Sequence, residues 1–285
     1  MQFELAGALP LADGRYLARS PDAEEQESVL VLQQIGAAQA TTRRRRRSRE
    51  VEPGTEPRPL TLTRATAIRA FAPFEDPATA ARWLDEACEA EDTVDVFVAE
   101  GLALLNRALH AQAVASANPY SKAELEVESM ERVLIGFGSG EEVADSRFTE
   151  AREIDTRPRD SRRRRREEEL QPQERVGAVL RGRERFDACE TLLLRARADL
   201  DAGRTREAAL QLRVGLEALL VELQGALADP DHEQDMTTLS ARKTEAGAAA
   251  NTALQGALDQ QQLTQVEELL RLSERVLRRR RVLRG

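Results

Sequence analysis

The chain has 285 residues, 41% of them apolar and 32% charged, with a formal net charge of −8, and it is long enough for two domains with their own cores. Its two cysteines, Cys88 and Cys189, cannot build a disulfide framework or a zinc site alone, and no apolar stretch approaches the roughly 18 residues that span a bilayer. The opening MQFELAGALPLADG has no basic residue ahead of its short apolar stretch, so a secretory signal is not expected and a cytoplasmic location is.

In chain order, residues 3–9 and 15–19 flank Ala12-Asp13-Gly14 and predict a hairpin. Residues 29–35, VLVLQQI, predict a third strand. Segment 37–59 holds five consecutive arginines together with Pro53, Gly54, Pro57 and Pro59, and reads as an extended, solvated linker. Residues 60–71, LTLTRATAIRAF, predict a further strand. Asp76 with Pro77 starts a helix that places Ala80, Trp83, Leu84 and Ala87 on one face. A second helix begins near Asp92 and Thr93. It carries Val94, Phe97, Val98, Leu102, Leu105 and Leu109 at helical spacing and stops before Asn118-Pro119. Residues 132–137, RVLIGF, predict a strand, Gly138-Ser139-Gly140 a turn, and 147–154 the returning strand.

Six of the seven phenylalanines, both tyrosines and Trp83 precede residue 150, and Phe186 is the only aromatic after it. A core of Leu, Val and Ala suits helix packing, whereas aromatic and β-branched residues suit sheets. After Pro172 the pattern is helical throughout: a short element at 174–184, then helices over 186–202, 206–227, 236–258 and 262–281, with Pro230 as an interruption. The expected fold class is therefore α+β. It comprises an N-terminal mixed sheet and helix domain (1–155), a charged linker (156–171) and a C-terminal all-α antiparallel helical bundle (172–285).

Between two of these helices stands Gly203-Arg204-Thr205-Arg206-Glu207-Ala208, which resembles the inter-helix turn of a tetratricopeptide repeat. That family usually has an aromatic where Thr205 stands, and no second copy follows at the expected ~34-residue period. The stretch also resembles nucleotide-binding or ribonuclease bundles of the HEPN type. The resemblance implies a basic residue and a histidine closely spaced on one helix, but the only histidine of the second half, His232, falls in a predicted loop.

No constellation supports a catalytic, cofactor or metal site, and no cofactor is expected. His110 and His232 have no nucleophile or orienting carboxylate assigned by sequence and read as surface or rim residues. Asp229, Asp231, Glu233 and Asp235 imitate half an EF-hand. Gln234 replaces its glycine and Ser240 its bidentate glutamate, so an acidic helix N-terminus is the better account. The run from Gly136 to Glu141 lacks the Lys-Ser/Thr of a phosphate loop and carries Glu141 and Glu142, which repel anions; it reads as a hairpin turn. Cys88 and Cys189 read as small core residues.

Arginine supplies all but two of the 42 basic residues, a bias that points to a G+C-rich genome. Arg162 to Arg166 are followed by Glu167, Glu168 and Glu169 and are largely self-neutralised. Arg43, Arg44, Arg45, Arg46 and Arg47 lie in a segment (41–59) of local charge +4, and Arg278, Arg279, Arg280 and Arg281 in one (271–285) of +6. These nine are the candidate partner-contact residues. In the last helix they follow an apolar stripe of Leu263, Val266, Leu270 and Leu277 and must stay solvated or paired. Residues 75–100 hold nine acidic groups against Arg82, a complementary surface. The expectation is a non-catalytic interaction or assembly protein, with a protein partner or self-association. A nucleic-acid-associated accessory protein, bound through the arginine runs, is the alternative. An enzyme of unknown class is the third reading, resting on His110, His232 and the acidic loop.

Overall fold

A computed structural model describes residues 1–19, 27–36, 61–69, 73–121, 124–155, 172–173, 175–225 and 229–284. The runs Arg43–Arg47 and 162–166, with both linkers, lie outside the described residues. The fold is α+β, and the chain divides into two compact units, Met1–Arg159 and Asp160–Gly285.

Among its described residues unit one is built on six strands: β1 (Gln2–Ala6), β2 (Gly14–Arg19), β3 (Glu27–Ile35), β4 (Leu62–Arg69), β5 (Arg132–Phe137) and β6 (Glu150–Glu153). Their order is β2-β3-β4-β1-β5-β6, and every neighbouring pair is antiparallel. The expected hairpin between the first two strands does not form. β1 sits between β4 and β5, while β2 pairs with β3 at the edge. The reason is burial. Residues 2–5 are buried on both faces, as a central strand requires, while β2 exposes alternate residues as an edge strand does.

One face of the sheet carries Phe3, Leu5, Leu30, Leu32 and Val133 against helix α2 (Glu91–Ala115), whose Leu105 and Leu109 complete the core. Gly101 permits this approach, because a Cβ there would stand 3.0 Å from the Phe3 ring. Helix α1 (Pro77–Glu89) starts as expected: Asp76 accepts from the Thr79 amide at 2.7 Å and Pro77 follows. Its Leu84 and Ala87 close a second core with Ile135.

On the other face Glu4 accepts from Arg64 at 2.8 Å, Gln2 stands opposite Thr66, and all but Arg64 are buried. The connection from β5 to β6 is longer than the tight turn expected at Gly138 to Gly140. It contains a short helix, α3 (Gly140–Ala144), whose Val143 and Ala144 are buried, and Ser146 just beyond donates to Gln33 at 3.2 Å. Gly136 is required where β5 lies against β6, since a Cβ would meet the Glu150 carbonyl at 2.6 Å.

Among its described residues unit two contains a short helical stretch at 175–180 and four helices: α4 (Ala188–Asp201), α5 (Thr205–Glu222), α6 (Pro230–Gln255) and α7 (Gln260–Arg284). A capping box of Asp187 and Glu190 starts α4, and Gly203, at φ +73°, makes the turn into α5. Pro230 does not interrupt a helix but opens α6, at its first position behind the Asp229 cap. The core is free of aromatics, as expected, and is filled by residues such as Leu193, Leu212, Leu216, Leu239, Val266 and Leu270.

Candidate interaction surfaces

The N-termini of α4 and α6 carry carboxylates, and the C-terminal half of α7 carries arginines that reach both. Asp235 takes Arg275 at 2.7 Å and Arg279 at 2.8 Å. Arg279 also lies 3.5 Å from Asp231, and Arg280 pairs with Asp187. Asp187 and Asp231, at the start of α4 and α6, oppose the partial positive charge of their own helix ends, a favourable placement. Arg279 and Arg280 thus have their guanidinium groups engaged within the bundle. Arg278 is exposed, and Arg281 stands 4.0 Å from Glu190 with more than half of its side chain in solvent.

Arg175 extends the network. It meets Glu190 through two hydrogen bonds of 2.8 Å, takes Glu184 at 2.7 Å and lies 4.9 Å from the centre of the Phe186 ring. Burial is the largest single influence and works against the charge of Glu190, but the hydrogen bonds from Arg175 and the Asp187 amide, with the charges of Arg175 and Arg280, together outweigh it and hold the carboxyl below its usual range. For Asp235, too, burial is opposed by Arg275 and Arg279, with a lowered value as the result. The geometry is that of a structural clasp between helix ends.

The histidines divide. His110 is half-buried on α2. The expectation of a surface position for His232 is corrected: it lies in the first turn of α6, not in a loop, is 1% exposed, and neither ring nitrogen has a hydrogen-bond partner. The acidic run around it is the start of a helix, with Asp229 accepting from the His232 amide at 2.8 Å. Burial and then a hydrogen bond with Glu222 push the Cys189 thiol up to about 12, and burial raises Cys88. Among the described residues no group of His, Cys, Asp and Glu could hold a metal ion.

Unit one carries an aromatic cluster that pattern reading does not find. Phe74 lies just before the α1 cap, 5.6 Å from Trp83 and 6.1 Å from Phe137 between ring centres, and Trp83 lies 6.1 Å from Phe97. Phe74 is 43% exposed, while the other three rings are half-buried. Glu75 adjoins Phe74, and Glu86 stands one turn beyond Trp83. Both are exposed and belong to no ion pair among the described residues. The sequence signal was present as nine acidic groups in 75–100 around Trp83 and Phe97. What brings the rings together is the packing of α1 on β5 and on α2.

Searches for a matching family model, curated relative or solved structure find none. Among the described residues no helix is long and apolar enough to cross a membrane.

Proposed function

We propose that this chain is a non-catalytic, cytoplasmic interaction and assembly protein that contacts its partner through the aromatic and acidic surface of unit one. One observation carries the reading: four contacting rings, one of them 43% exposed, stand beside carboxylates that form no ion pair among the described residues. Aromatic anchors concentrate binding energy at protein interfaces, and exposed rings flanked by unused charge suit a partner of opposite sign. The free thiols of Cys88 and Cys189 agree with a reducing compartment. The nucleic-acid alternative is less well supported, because Arg279 and Arg280 would first have to leave Asp235 and Asp187.

The test is co-purification from the native host. The protein retained by the wild-type chain is lost from a Phe74→Ala, Glu86→Gln variant whose melting is otherwise near normal. Retention of nucleic acid alone, equally by both forms, overturns the proposal.

A further inference from the structure

We propose that the β5–β6 connection, residues 138–149, is a strap that opens from the sheet on its own, with Arg15 as its latch, and so governs exposure of Thr66 and Gln2 beneath it. The device goes beyond the interaction reading above and does not depend on it.

Register places the strap. Arg15, Val31, Thr66, Gln2 and Leu134 stand opposite one another across β2, β3, β4, β1 and β5. They alternate with Phe3, Leu30, Leu32 and Ala65 of the α2 core and so lie on the other face. The strap crosses this row from one side to the other. Phe148 lies over β5, where a Cβ on Gly136 would stand 2.9 Å from its ring. α3 packs on β4, and Ser146 donates to Gln33 of β3 at 3.2 Å. At the far edge Arg15 of β2 pairs with Glu141 and lies 3.6 Å from Asp145. Thr66, Gln2 and Val31 are buried beneath.

Three features make this cover detachable. A five-residue helix such as α3 does not hold itself without packing, and its apolar anchors are only Val143 and Ala144. Its two ends stand at left-handed backbone positions, Gly140 at φ +24° and Ser146 at φ +63°, the second a residue with a β-carbon. The row beneath is polar and loosely bonded. Thr66 donates to Gln2, and Gln2 to Glu4, each at 3.4 Å, so water replaces these long bonds without loss when the strap lifts. The latch itself joins exposed groups, Arg15 and Glu141, which salt screens.

The probe is the thiol introduced by Thr66→Cys in the full chain with Cys88→Ala and Cys189→Ala, labelled by an aromatic disulfide under native conditions. Labelling proceeds at a rate that low urea leaves nearly unchanged, because local opening exposes little surface. Adding Arg15→Ser raises that rate about threefold at low salt and leaves it unchanged in about 1 M salt. Adding Val143→Ala, which removes an apolar anchor, raises it about tenfold at either salt. Hydrogen exchange of the unsubstituted chain gives an independent reading: amides of 141–147 exchange ahead of those of β1 and β4. Labelling that follows global unfolding in urea, or protection of 141–147 equal to that of β4, overturns the inference. So does an Arg15→Ser variant that labels at the parent rate in low salt.

Discussion

The amino group of Met1 lies inside unit one, donating to the Ala67 carbonyl at 2.9 Å. Burial first, and then the Arg69 charge, lowers its pKa from 8.0 to about 6. In the unfolded chain the amine takes up a proton as pH falls through 8, while the folded chain resists until about 6. Stability is therefore fullest above pH 8, is lost across that window, and levels off below it. The loss is roughly 2–3 kcal/mol. Urea midpoints measured from pH 5.5 to 8.5, with both histidines replaced (His110→Gln, His232→Leu), should rise with pH; a flat profile would show that the amine is solvated. His232 itself makes a separate prediction. Two buried nitrogens without partners cost about 1–3 kcal/mol, so His232→Leu should raise the thermal midpoint by a few degrees. A lower midpoint would mean that the ring has polar company after all.

The last helix, α7, joins two roles that its pattern only half discloses. Val266, Leu269, Leu270 and Val276 are fully or almost fully buried, so the apolar stripe is a closing face of the bundle. Beyond it, Arg279 and Arg280 tie the helix to α6 and α4. Truncation after Leu277 should destabilise unit two by about 2–3 kcal/mol, because Asp235 loses Arg279 and Asp187 loses Arg280. An unchanged melt would place those arginines in solvent. Acid should act on the same clasp. The carboxyls of Glu190 and Asp235 are held below their ordinary values, so the stability they contribute is full above the unfolded value and lost as pH falls through the folded one. Glu190→Gln should reduce the acid sensitivity of the melt below pH 5. The start of α1 was legible residue by residue, since an Asp cap followed by proline is a local device. The partner of β1 was not: Ala12-Asp13-Gly14 is a good turn, but the strand before it is buried on both faces and takes its neighbours from far along the chain.

For the molecule as a whole, the division into Met1–Arg159 and Asp160–Gly285 implies that each unit closes its own core. Residues 172–285 expressed alone should give a strongly helical spectrum and a cooperative melt; a disordered chain would make the bundle dependent on unit one. Trypsin should cut first within 43–49 or 157–166, and protection of both stretches would require a different account of them.

Composition and periodicity sufficed for the α+β class and for a helical half whose core is free of aromatics, because both follow from side-chain type and from repeats of two or 3.6 residues within a few turns of chain. The order of the strands, the engagement of Arg279 and Arg280, the burial of His232 and the meeting of Phe74 with Trp83, Phe97 and Phe137 lay beyond that reach. Each depends on residues tens of positions apart, brought together by packing that buries apolar surface with no sequence period of its own. An arginine run reads the same whether it faces water or a carboxylate; only the folded neighbours distinguish the two.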